Sequence, residues 1–249
     1  MAVRACGAGV RDGREREMRA PFSIDGGNSR RARYAPPVLR RKPLPDPTIA
    51  PVVLNGRRVV LRPIAVQDFA AWRDVRRRCN DWLTKWEPRR IPGQPDTVED
   101  SAAFSSRCSV RMREIQLGTG YGFGIFVDGV FAGEINVNSI HRGAHQNAYV
   151  GYWIDEKWAG QGLMPESVIV LARFAFEELH LHRIQVSIIP RNSASRRVVE
   201  KLDLRNEGTA VRYLEINGVW EDHVRYALTA EEWEARRDEL AARWLSPPT

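Results

Sequence analysis

The chain has 249 residues, 43% of them hydrophobic and 28% charged, with a formal net charge of +7. That composition supports one sizeable core. It contains no run of about 18 apolar residues, so no membrane-spanning helix is expected. Three widely spaced cysteines, Cys6, Cys79 and Cys108, argue against a disulfide framework or a CxxC metal site. They read as reduced thiols of a cytoplasmic, metal-free protein. The start of the chain lacks the apolar centre of a secretory signal.

The positive charge is unevenly placed. Residues 1–50 hold 11 Lys+Arg against 5 Asp+Glu, and the remainder of the chain is close to neutral. A specific nucleic-acid-binding core is therefore not expected. Residues 1–50 also carry Pro36, Pro37, Pro43, Pro45 and Pro47 without apolar periodicity. Such a segment cannot bury enough surface to offset its ordering entropy, so it reads as a disordered basic arm.

Order is expected from about Asn55. Val59–Ile64 reads as a strand that Pro63 ends. Asp68 is placed to cap a helix through Phe69, Trp72 and Val75. Asn80–Pro95, rich in Trp and Pro, reads as a loop with aromatic anchors. Thr97 and Asp100 have capping-box spacing ahead of a helix to about Gln116. The period then changes to two: Tyr121–Val127, an Asp128-Gly129 turn, and Val130–Ile140 form a hairpin. Ala148–Asp155 is another strand. Leu163–Leu179 carries Met164, Val168, Leu171, Ala172, Ala175 and Leu179 on one helical face. A strand at Arg183–Pro190, a short helix at Ser193–Leu202 and a second hairpin, Val211–Ile216 with Val219–Leu228, follow around Asn217-Gly218. Thr229 caps a final helix over 231–245. The order implies an α/β fold: a mixed sheet of about seven strands with helices on both faces. The domain would span 55–229, with 230–249 a helical extension.

The strand Ala148–Asp155 runs through Lys157-Trp158-Ala159-Gly160-Gln161-Gly162-Leu163 into a long helix. A helix N-terminus presents unpaired N–H groups and the positive end of its dipole, and glycines let backbone close around a phosphate. The absence of a following Lys-Ser/Thr excludes a P-loop, and the third glycine of a dinucleotide fingerprint is unfilled.

In that context the chain resembles the GCN5-related N-acetyltransferases, whose signature Gln/Arg-x-x-Gly-x-Gly/Ala here reads Lys157-x-x-Gly160-x-Gly162. Downstream, Ile188-Ile189-Pro190-Arg191-Asn192-Ser193-Ala194-Ser195 matches the strand, Asn and short helix that the family places next. The resemblance covers about Arg57 to Leu228 and is strongest to the Rim branch of ribosomal-protein N-terminal acetyltransferases, RimJ-like members in particular. It implies acetyl-CoA as acyl donor. The N–H groups of residues 158–163, including Trp158, Ala159, Gly160, Gln161, Gly162 and Leu163, would hold its pyrophosphate, with Lys157 adding charge. Trp153 and Ile154 would pair with pantetheine as an added strand. Asn192 would bond the pantetheine arm, Ser195 would lie near the thioester sulfur, and Arg191, Arg196 and Arg197 would meet the nucleotide phosphates. The acceptor would be a protein N-terminus, ribosomal by resemblance. A small amine, a lysine, succinyl-CoA as donor, and a non-catalytic acyl-CoA-binding module are the alternatives. A monomer or dimer is expected.

The catalytic residues are less complete. The Tyr that some Rim enzymes use falls at Val199, and the Glu of RimL-like members falls at Leu214. The neighbouring Glu215 would point to the opposite face of its strand. Glu134, an acid inside the apolar run Val130–Ile135, is the expected base, and Ser195 the expected donor to the leaving thiolate. Tyr152, Asp222 and His223 are further candidates. Trp82, Trp86 and Tyr121 are candidates for the acceptor side of the cleft.

Overall fold

The computed structural model describes residues 52–246, so the expectation for residues 1–50 lies outside the described residues. The strands are β1 (Leu54–Asn55), β2 (Val59–Arg62), β3 (Tyr121–Val127), β4 (Val130–His141), β5 (Asn147–Ile154), β6 (Arg183–Ile188), β7 (Arg205–Ile216) and β8 (Val219–Thr229). The helices are α1 (Phe69–Arg78), α2 (Asn80–Leu83), α3 (Ser101–Leu117), α4 (Leu163–Arg173), α5 (Ser193–Lys201) and α6 (Ala230–Trp244). The eight strands form one sheet in the order β1-β2-β3-β4-β5-β6-β8-β7. The eighth strand, beyond the seven expected, is the two-residue β1 lying antiparallel on β2.

Side chains alternate across the sheet. Leu61, Phe123, Ile125, Ile135 and Val150 face α4 and α6, which contribute Ile169, Leu171, Trp233 and Leu240 to the main core. On the opposite face, Phe126 and Phe131 lie beneath Trp72 and Val75 of α1 and Phe104 and Cys108 of α3. Helices thus cover both faces.

Several local expectations change. Asp68 does not cap α1 with its side chain, because its carboxylate takes both Nη atoms of Arg62, at 2.7 and 2.8 Å. α3 is capped by Asp100, whose Oδ1 accepts from the N–H groups of Ala102 and Ala103, so the helix starts three residues later than a Thr97 cap predicts. Within Asn80–Pro95 the chain winds into α2 and a 3-10 turn at Thr84–Trp86. The long helix after the glycines ends at Arg173 and widens into a π turn over Phe174–Glu178. β7 begins at Arg205 instead of Val211 and accommodates the turn-like Asn206-Glu207-Gly208 through register shifts against β8.

One topological feature positions the site. β5 and β6 are parallel, because α4 returns the chain across the sheet, and their pairing stops at Tyr149 opposite Gln185. Yet β5 continues to Ile154 and β6 to Ile188. The two strands part there, beside the α4 N-terminus.

Candidate active site

Asp155 follows β5 directly, and its side chain accepts from the Lys157 N–H at the head of a 3-10 turn over Glu156–Trp158. The Trp158 N–H donates to the Asp155 carbonyl at 2.9 Å and the Ala159 N–H to the Glu156 carbonyl at 3.1 Å. These two N–H groups close the turn, which corrects the expectation that the anion-facing row starts at Trp158. Among the described residues, the N–H groups of Gly160, Gln161, Gly162, Leu163 and Met164 have no acceptor. Pro165, in the first turn of α4, has no N–H to leave unpaired. Gly160 and Gly162 adopt φ of +77° and +79°, left-handed values that strain any other residue. Five consecutive free donors at a helix N-terminus make an anion site.

Two buried carboxylates hold this loop. Glu166, fully buried in the first turn of α4, accepts from the N–H groups of Arg58 and Val59 and from Arg58 Nε at 3.0 Å. Arg58 Nη1 continues to the carbonyl of Gln161 at 3.0 Å. Since C=O and N–H are opposed across a trans peptide, anchoring the Gln161 carbonyl aims the Gly162 N–H the other way. Asp155, also fully buried, takes Arg78 at 2.8 and 2.9 Å and lies 3.7 Å from Lys157 Nζ. Burial pushes the Asp155 carboxyl up, but the Arg78 guanidinium and the Lys157 N–H more than offset it, leaving it below the usual carboxylate range. Neither Arg58 nor Asp155 was singled out from sequence.

The strand opening collects the other candidates. Gly133 lies so close to the Trp153 carbonyl that an added Cβ would collide with it. That carbonyl therefore faces β4, and by alternation the backbone groups of Tyr152 and Ile154 face the opening. The backbone facing the opening is thus that of Tyr152 and Ile154, while that of Trp153 is turned to β4. The Ile154 carbonyl accepts from Trp82 Nε1 at 3.2 Å. The Asn192 Oδ1 caps α5 through the Ser195 N–H at 3.1 Å. Ser195 Oγ donates to Tyr152 Oη at 3.1 Å, and the Tyr152 hydroxyl reaches the Ser195 carbonyl at 3.2 Å. Burial pushes the Tyr152 hydroxyl above the usual phenol range, so it stays protonated. Arg197 is exposed on α5. Arg196 instead bonds Tyr226 Oη and Glu200, and Arg191 pairs with Glu221 over the Trp86 ring.

Glu134, opposite Trp153 across β4 and β5, turns its side chain beneath α1 and α3 and is 3% exposed. Its Oε1 accepts from Trp72 Nε1 at 2.7 Å and its Oε2 from Arg107. It is buried, and each of its oxygens accepts one hydrogen bond. Val199 is fully buried in the main core and Leu214 is exposed. Tyr121 packs edge-on against Phe174, in the core and away from the cleft. Asp222 accepts from the Arg212 N–H, and His223 is buried with Nδ1 2.9 Å from the Glu221 carbonyl.

An acetyltransferase (GNAT) domain model matches residues 58–205. The chain is 35% identical over 173 residues to the probable N-acetyltransferase YjcK of Bacillus subtilis (strain 168), covering 69% of this chain and 93% of that one. It is 33% identical over 190 residues to the ribosomal protein uS5-alanine N-acetyltransferase of Escherichia coli (strain K12), covering 73% and 93%. Among solved structures, Mycobacterium smegmatis RimJ in complex with CoA-disulfide matches with a TM-score of 0.69 at 32% identity, over 78% of this chain and 94% of that one. With its parted strands and glycine loop, the chain belongs to the acetyltransferase (GNAT) domain family and is an N-acetyltransferase.

Proposed function

We propose that the protein transfers an acetyl group from acetyl-CoA to the N-terminal α-amine of a protein, a ribosomal protein foremost, by direct attack in a ternary complex. The carrying observation is the row of five unpaired N–H groups from Gly160 to Met164 beside the parted strands. A pyrophosphate needs such a row, and the pantetheine arm needs a strand edge such as Tyr152 and Ile154 offer. The uS5-directed relative and the CoA-bound RimJ support the acceptor and donor classes.

Lys157 and Arg197 add positive charge for the phosphates. Asn192 uses Oδ1 as a cap, leaving Nδ2 for the pantetheine arm. The attacking amine must be neutral. A protein α-amine, with a pKa of about 7.7–8.0 against about 10.4 for lysine, reaches that state near neutral pH with solvent as proton acceptor. The developing oxyanion requires a backbone N–H, which Tyr152 or Ile154 presents in the opening. The departing thiolate requires a hydrogen-bond donor, and the Ser195 hydroxyl, turned from Tyr152 into the opening, would serve.

Two measurements test this. Acetyl-CoA binding should be lost in Gly160→Pro with the protein still folded, because φ of +77° is closed to proline. Mass spectrometry of ribosomal-protein N-termini from a strain lacking the protein should show one N-terminus unacetylated. Full acetylation throughout would reject the ribosomal acceptor.

A further inference from the structure

The face of the sheet opposite α4 carries a polar patch at β6 and β8. Ile184, Val186 and Ile188 of β6 and Val224, Tyr226 and Leu228 of β8 point into the main core. Gln185, Ser187 and Arg225 therefore point the other way. Ser187 and Arg225 are direct cross-strand partners. Arg225 Nη2 donates to Gln185 Oε1 at 3.1 Å, an oxygen that already accepts from Arg183 at 3.2 Å. Arg225 Nε and Ser187 Oγ are both buried without a hydrogen-bond partner.

The neighbouring arginines are compensated: Arg183 by Glu207, Arg191 by Glu221, and Arg205 by Glu207 and Glu232. Arg225, half-buried, has no carboxylate partner among the described residues. A partly desolvated guanidinium without counter-charge, next to an unsatisfied hydroxyl, is a costly arrangement that an anion relieves.

Its place gives it a use. The Ser187–Arg225 pair lies two residues beyond the last β5–β6 pair, where the strands part. It sits on the face away from α5 and the Ser195 hydroxyl. β6 borders the opening and β8 is hydrogen-bonded to β6 at this level, about 4.8 Å further out, so an extended peptide entering the opening reaches Arg225 within its first few residues.

We propose that Arg225, with Ser187, forms an anion-recognising subsite for a carboxylate side chain within the first four residues of the acceptor peptide. The proposal rests on the reading of the acceptor as a protein N-terminus. The test uses the full-length protein, acetyl-CoA, alanine-initiated hexapeptides with Glu, Gln or Lys at positions two to four, and a set of small primary amines. Thiol release gives kcat/KM for each. The expected order is Glu over Gln over Lys, with at least about a tenfold preference for Glu over Gln. Arg225→Gln should remove that preference, Arg225→Lys should retain part of it, and Arg225→Glu should reverse the order toward the Lys peptides. Equal use of Glu and Gln peptides by the wild type would overturn the subsite while leaving the acceptor reading intact. An equal loss on every peptide in Arg225→Gln would assign Arg225 a structural role instead. Transfer to small amines and to no peptide would overturn the acceptor reading, and the subsite with it.

Discussion

Arg58 and Gln161, 103 residues apart in sequence, are joined by a 3.0 Å hydrogen bond from a guanidinium to a carbonyl of the glycine loop. The other side of that guanidinium is fixed on a fully buried carboxylate, Glu166. The relay orients a peptide plane, so its loss should show in donor binding before it shows in chemistry.

Arg58→Met should raise the KM for acetyl-CoA about 10- to 100-fold, the range for a lost hydrogen bond of about 1.5–3 kcal/mol involving a charged group. kcat should stay within about threefold. Arg58→Lys, which keeps the charge but not the fork, should recover part of the affinity. Steady-state kinetics with acetyl-CoA varied, alongside thermal unfolding, separate loop orientation from general destabilisation.

Asp155 makes the loop acid-sensitive. Its folded carboxyl lies below the usual range, through the Arg78 ion pair overcoming burial. A group with a depressed folded pKa contributes stability that is fully present above its unfolded value, about 3.9, and is lost as pH falls through the folded value. Denaturant unfolding from pH 7 to pH 2 should show wild-type stability falling below about pH 4. Asp155→Asn should be less stable at pH 7 and flatter across that acid range. An unchanged acid slope would remove Asp155 from this role.

What was legible in the sequence was local. The Lys157–Gly162 turn, the Asn217-Gly218 hairpin and the Thr229 cap, whose own N–H donates to the Glu232 carboxylate at 2.8 Å, are fixed by residues a few positions apart. The α3 cap is not legible in the same way: the Thr97–Asp100 spacing reads as one capping box, yet Asp100 alone holds two N–H groups with one charged oxygen. The supports of the site were hidden for a different reason. Arg58–Glu166 and Arg78–Asp155 span 108 and 77 residues, and nothing in either segment encodes which charge the fold will bring to it. Tyr152 was visible as a strand residue, but its hydroxyl meets Ser195 across the opening, a contact that requires knowing where β5 and β6 part.

Tyr152 and Ser195 should act as a unit. Their hydroxyls share one hydrogen bond, so removing either one takes away the other's hydroxyl partner, while the Tyr152 hydroxyl keeps its bond to the carbonyl of residue 195. Ser195→Ala and Tyr152→Phe should each lower kcat about 10- to 100-fold, and the double variant should be little worse than the poorer single. A double-mutant cycle on kcat, with KM for acetyl-CoA measured in parallel, checks this. Additive losses would mean that the two hydroxyls act separately.

Glu134 should behave as an anchor instead of the base. Both of its oxygens are occupied, by Trp72 and by Arg107, and it is 3% exposed. Glu134→Gln should therefore cost stability, on the order of 1–3 kcal/mol for the partner left unpaired, measured by urea unfolding. Its pH–rate profile should keep the wild-type shape. For a peptide acceptor, the acid limb of kcat/KM then reports the acceptor α-amine, near its own pKa of about 7.7–8.0, in both proteins. Should the limb vanish in Glu134→Gln while the protein stays folded, the proton acceptor would be Glu134 after all. A limb that persists, and moves when the acceptor amine is changed for one of different pKa, leaves deprotonation to solvent and confines Glu134 to holding α1 and α3 against the sheet.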